Sequence, residues 1–126
     1  MARKQSPHLT DAELRLMEVL WKKGTVTVSD VVDALQPETP LAYSTVLTTL
    51  RILENKGYVG HKKHGRAFVY KPVVGRLKAQ ESALKHLLRR FFEDSPELLM
   101  LNLIERKEIT AEQFTRLRKR IEEKKS

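Results

Sequence analysis

The chain has 126 residues, room for one ordinary domain or two small ones, and its 40% hydrophobic and 32% charged content excludes a disordered polypeptide. The absence of cysteine excludes disulfides, Cys-ligated zinc and thiol redox sensing, and a net charge of +8 points to a polyanionic partner, nucleic acid or an anionic membrane surface. The opening "MARKQSPHLTDAEL" has no apolar core of leader length and no later run approaches a spanning helix, so a cytoplasmic protein without membrane insertion is expected.

The first predicted helix starts at "LTDAEL", where Thr10 and Glu13 have the spacing of a capping box and Leu9 and Leu14 that of a hydrophobic staple. Leu14, Met17, Val19, Leu20 and Trp21 form its apolar face, and Gly24 ends it. A shorter helix follows from about Ser29 to Leu35, before Pro37 and Pro40 interrupt. The third runs from Ser44 to about Lys56, with Gly57 as terminator. Wound at about 100° per residue, it gathers Val46, Leu47, Leu50 and Leu53 on one side. Ser44, Thr45 and Thr48 fall on the other, with Arg51 on the flank and Ile52 also pointing outward. Short hydroxyls solubilise poorly but let a helix approach base edges and phosphates closely.

Tyr58 and Val59 begin a strand, His64-Gly65 is a turn signal, and Ala67 to Lys71 reads as the returning strand, closed by Pro72. Lys62, Lys63, His64 and Arg66 cluster at this turn, where they suit either a phosphate backbone or the charged protection of an edge hairpin. Between Tyr43 and Lys71 the basic residues are Arg51, Lys56, Lys62, Lys63, Arg66 and Lys71, against the single acid Glu54. Three helices followed by a basic hairpin is the order of a winged helix-turn-helix. His61 and His64 form an HxxH pair without thiols or a nearby carboxylate pair, so no metal site is expected, and no catalytic or nucleotide-binding motif occurs.

Beyond Gly75 only helices are predicted. Leu77, Leu84, Leu87, Leu88, Phe91 and Phe92 line a helix from about Arg76 to Glu93. Ser95 caps the next, with Pro96 at its first position. Thr110 with Gln113, and Ile109 with Phe114, repeat the capping box and staple of the first helix. Short helices this rich in Leu and Phe cannot hide all of it alone, so a second copy of the chain is the expected cover, the alternative being that they fold back on the first domain in a monomer.

The segments "LTDAELRLMEVLWKKG", "VSDVVDAL", "YSTVLTTLRILENKGYV" and "GRAFVYKP" resemble the penicillinase-repressor family of bacterial regulators, the BlaI, MecI and CopY group. The most specific pieces are the first helix from Glu13 to Trp21, the Thr45 to Thr48 core of the third helix, and the F-x-Y wing ending from Phe68 to Tyr70. The resemblance implies a homodimeric repressor on a palindromic operator with TACA/TGTA half-sites. It implies Ser44, Thr45 and Thr48 in the major groove, Arg51 near the backbone, and Arg66 with its basic neighbours as wing. Many relatives carry a basic residue where this chain has Ile52. It further implies induction through a membrane sensor with a metalloprotease domain that cuts an Asn-Phe bond, here matched by Asn102-Leu103. The copper branch senses metal through C-terminal cysteines, which this chain lacks.

The fold expected is therefore mainly α with a small β-hairpin: a winged helix-turn-helix domain over residues 1–75 and a helical dimerisation domain over residues 76–126. The candidate DNA-binding residues are Tyr43, Ser44, Thr45, Thr48, Arg51, Lys62, Lys63, His64 and Arg66. The candidate dimerisation residues are Leu84, Leu87, Leu88, Phe91, Leu99, Leu103, Phe114 and Leu117. The expected partners are double-stranded DNA and a second copy, with no cofactor and no enzymatic activity. The alternative is a winged-helix protein-interaction module that does not read DNA.

Overall fold

The computed structural model describes residues 8–125; "MARKQSP", the start of the stretch read above as lacking a leader, and Ser126 lie outside the described residues. Helix α1 (Asp11–Lys23) opens with the expected capping box: the Thr10 hydroxyl accepts from the Glu13 N–H, and the Glu13 carboxylate accepts from the Thr10 N–H. It closes at Gly24, whose φ of +85° suits a residue without Cβ. Its buried face is Glu13, Leu16, Met17 and Leu20, whereas Leu14 is exposed. Leu14 lies about 110° round the helix from the centre of that face, so the face turns on Leu16 instead.

Strand β1 (Val26–Thr27) was not expected; two residues are too few to show an alternating pattern. Helix α2 (Val28–Leu35) follows at once, started by a further capping box between Thr27 and Asp30. Helix α3 spans Tyr43–Asn55, and strands β2 (Val59–His64) and β3 (Ala67–Pro72) form the hairpin. β1 adds to β3 antiparallel, with Val26 opposite Tyr70, so the sheet has three strands in the order β1-β3-β2. The last hairpin pair is His64 with Ala67, which moves the turn to Gly65-Arg66. Gly65, at φ +65°, supplies the left-handed first position that a two-residue hairpin loop needs.

Leu16, Met17 and Leu20 of α1 pack with Val31 of α2, Val46, Leu50 and Leu53 of α3, and Tyr58, Val59 and Tyr70 around the sheet. This core extends past the expected boundary at Gly75. The Trp21 indole N–H donates to the Val74 carbonyl at 2.9 Å, the Arg76 guanidinium lies 4.9 Å from the Trp21 ring centroid, and Ala79 is buried in the same cluster. Helix α4 (Arg76–Phe91) therefore begins in the first compact unit, which ends at Ala83; the second begins at Leu84.

Glu13 also ties α1 to the end of α3. Its carboxylate accepts from the Lys56 ammonium at 2.7 Å. Burial pushes the Glu13 carboxyl up, but hydrogen bonds from Lys56 and Thr10 and the Lys56 charge outweigh it and hold it below its ordinary value of 4.5. A carboxyl depressed on folding contributes stability above its unfolded pKa and loses it as pH falls through the folded one. Glu13→Gln is expected to cost about 1–3 kcal/mol at pH 7. The gap to the unaltered protein should narrow as pH drops below 4.5. Urea unfolding at pH 7 and pH 3 checks this, and an equal gap at both would remove the ion pair as the cause.

In the second unit α4 ends at Phe91, two residues short of Glu93, because Glu93 and Asp94 take left-handed φ values. Helix α5 (Pro96–Glu105) starts as expected, with the Ser95 hydroxyl accepting from the Leu98 N–H. Helix α6 (Ala111–Lys125) starts with the Thr110–Gln113 box. No helix among the described residues is long and apolar enough to cross a membrane.

Candidate nucleic-acid interface

Helix α3 buries Val46, Thr49, Leu50 and Leu53, and the Thr49 hydroxyl is satisfied by donating to the Thr45 carbonyl at 2.8 Å. Leu47 is half-buried. Tyr43, Ser44, Thr45, Thr48, Arg51 and Ile52 are all exposed. At about 100° per residue, the outer order is Arg51, Ser44, Asn55, Thr48, Ile52, Thr45, within an arc of about 120°. Asn55 was absent from the sequence candidates; its exposure at three-residue spacing from Ile52 places it on this face. Tyr43 lies off the arc, on the side that meets the sheet.

The N-terminus of α3 differs from those of α1, α2 and α5. Its N-cap is Ala42 and makes no side-chain cap hydrogen bond, whereas Thr10, Thr27 and Ser95 cap the others. First-turn N–H groups left without a side-chain acceptor are donors that a phosphate can use.

The wing is held against α3 by polar contacts. His61 Nδ1 lies 2.7 Å from the Glu54 carboxylate, joining β2 to the last turn of α3. The His61 ring stacks edge-on to Phe68 and tilted against Tyr70. Burial, then the Glu54 charge, raise the Tyr70 hydroxyl above its ordinary value, while the nearby Arg51 charge works against them. Arg51 thus stands on the edge of α3 that faces the sheet.

The register divides the basic cluster expected at the turn. Lys63 is opposite Phe68 and His61 is opposite Tyr70, so these four share one face of the hairpin. Lys62 and His64 belong to the other face, and Arg66 sits at the tip; all are exposed. A hairpin with cations on both faces and its tip can straddle a phosphate backbone. The HxxH pair does not converge, since His61 and His64 fall on opposite faces and His61 is engaged by Glu54. Among the described residues no group of His, Cys, Asp and Glu is arranged to hold a metal.

The candidate dimer residues divide differently. Leu84, Leu87, Phe91, Phe114 and Leu117 are exposed, and Leu99 and Leu103 are half-buried. Leu88, by contrast, is already buried within the single chain. Met100, Leu101, Ile104 and Ile121 are further exposed apolar residues that the sequence reading did not name. Met100, Phe114, Leu117, Arg118, Ile121 and Glu122 line a groove. Asn102 is exposed on α5.

Fold and surface together define a winged-helix DNA-binding regulator. The chain belongs to the penicillinase repressor family, whose model matches residues 9–123. It is 31% identical to the penicillinase repressor of Bacillus licheniformis, over 98% of this chain and 96% of that protein. The solution structure of the DNA binding domain of the repressor BlaI matches with a TM-score of 0.52 at 36% identity, covering 58% of this chain and 89% of that one. A second solution structure, of the Bacillus licheniformis BlaI monomeric form in complex with the blaP half-operator, matches with a TM-score of 0.50 at 35% identity, covering 60% of this chain and 92% of that one.

Proposed function

We propose that this protein is a transcriptional repressor that binds a palindromic operator as a homodimer in the cytoplasm, by binding alone and without a catalytic step. Helix α3 enters the major groove with Ser44, Thr45 and Thr48 toward base edges, and Arg51 reaches a phosphate or a guanine edge. Arg66, Lys62, Lys63 and His64 hold the backbone beside it. The apolar residues exposed on α4, α5 and α6 meet a second copy. The observation that carries this reading is the hydroxyl-and-guanidinium face of α3, exposed opposite the core-facing Val46, Leu50 and Leu53 and adjoining the basic wing. A solved relative in complex with a half-operator supports DNA as the partner. Release by a signal reaching the second unit, including cleavage at Asn102-Leu103 by a membrane sensor-protease system, belongs to the same proposal.

Fluorescence anisotropy with a TACA/TGTA palindrome and a scrambled duplex, at two salt concentrations, tests it. The palindrome is expected to bind more tightly, and both affinities should fall with salt as counterions are released. Thr45→Ala with Thr48→Ala should reduce the preference for the palindrome by about tenfold. Arg66→Ala, lost from both copies of the dimer, should weaken both duplexes alike and lower the salt slope by about 2. Equal binding of the two duplexes rejects this operator, salt-indifferent binding rejects the phosphate contacts, and no binding favours a protein-interaction module.

A further inference from the structure

Ile52 is 41% exposed, and it is not among the residues packed into the core. On α3 it falls between Thr48 and Thr45, about 20° to 40° from each, in the interior of the outer arc. Its neighbours there are hydroxyls, a guanidinium and an amide, all of which can hydrogen-bond to a base edge. Ile52 can do neither part of that exchange, since it neither donates nor accepts. Its branched side chain is stiff at χ1 and projects a fixed apolar shape.

From these positions the geometry points to Ile52 as a specificity-determining residue that packs on the 5-methyl group of a thymine. This rests on the proposal that α3 occupies the major groove. There, the thymine methyl is the apolar feature that a base pair presents. Opposite cytosine, Ile52 would instead cover an amino donor and leave it without water, so it discriminates by penalty as well as by attraction. Seven residues separate Ile52 from Thr45, about 10 Å along the helix. The base pair it reads is therefore not the one nearest Thr45.

The test uses the full-length protein and a palindromic duplex that the protein itself selects from a random-sequence pool. Each thymine of a half-site is replaced in turn by uracil, which removes the methyl and keeps every hydrogen-bonding group. One position per half-site is expected to weaken binding about fourfold, and about fifteenfold when both half-sites are changed. Ile52→Ala should bind the unmodified duplex more weakly by a similar factor and become indifferent to that uracil, while keeping its response at other positions. Circular dichroism of the variant confirms that α3 is intact, and the uracil series on the unaltered protein needs no variant. If the protein selects a palindrome but no thymine is methyl-sensitive, the inference fails and the operator reading stands. If Ile52→Ala retains the full uracil profile, the methyl belongs to another residue and the inference again fails. If no duplex is selected at all, the operator reading fails first and takes this inference with it.

Discussion

A chain truncated after Ala83 is expected to stay folded yet bind a full palindrome about 10²- to 10⁴-fold more weakly than the intact protein. Two linked winged-helix units meet the second half-site at the effective concentration set by their linkage, whereas separate fragments must meet it from bulk solution. The cut has to follow Ala83. Ending at Gly75 would strip away Arg76, which covers the Trp21 ring, and Ala79, which is buried in the core. Fragments 1–75 and 1–83 should therefore differ in thermal midpoint, with the longer more stable. Anisotropy on the palindrome and on a single half-site separates loss of linkage from loss of fold: the 1–83 fragment should keep its half-site affinity. Were that fragment to bind the palindrome as tightly as the intact chain, the second unit would have no part in operator binding. If the second unit does supply the linkage, sedimentation gives a dimer for the intact chain and a monomer for the fragment.

Leu50→Ala is expected to cost about 2–5 kcal/mol, a large share of the total for a small domain. Leu50 is fully buried among Val46, Leu53 and the α1 side chains, directly behind the outer face of α3. The substitution leaves a cavity between α3 and α1, whose ends Glu13 and Lys56 tie together at 2.7 Å. For a domain of this size the thermal midpoint should fall by about 10–30 °C. Thr48→Ala, on the opposite side of the same helix, should change stability by no more than about 0.5 kcal/mol while eroding operator preference. Thermal melts followed by circular dichroism, paired with anisotropy, resolve the two faces. A Thr48→Ala melt as low as that of Leu50→Ala would mean that the hydroxyl face is packed inside the protein and unavailable to a groove.

What the sequence by itself determined rests on local chemistry. The Thr10–Glu13 and Thr110–Gln113 capping boxes, the Ser95 cap and the Gly24 stop form within a few residues of chain, so their signals needed no partner. The two faces of α3 follow from its 3.6-residue period, so Val46, Leu50 and Leu53 inside and Ser44, Thr45 and Thr48 outside were legible in advance. Tertiary structure decided whatever depends on residues far apart. Strand β1 exists because Val26 and Thr27 meet Tyr70 and Val69 across the sheet, an energy no two-residue stretch carries in itself. Leu16 displaced Leu14 from the core because the direction of α1 is set by the helices it packs on. Strand alternation alone parts Lys62 from Lys63, but pairing decided which of them shares the face of His61 and Tyr70. The first core reaches past Gly75 because Trp21, more than fifty residues upstream, holds Arg76, and Ala79 packs in the same cluster, by contacts that exist only in the folded chain.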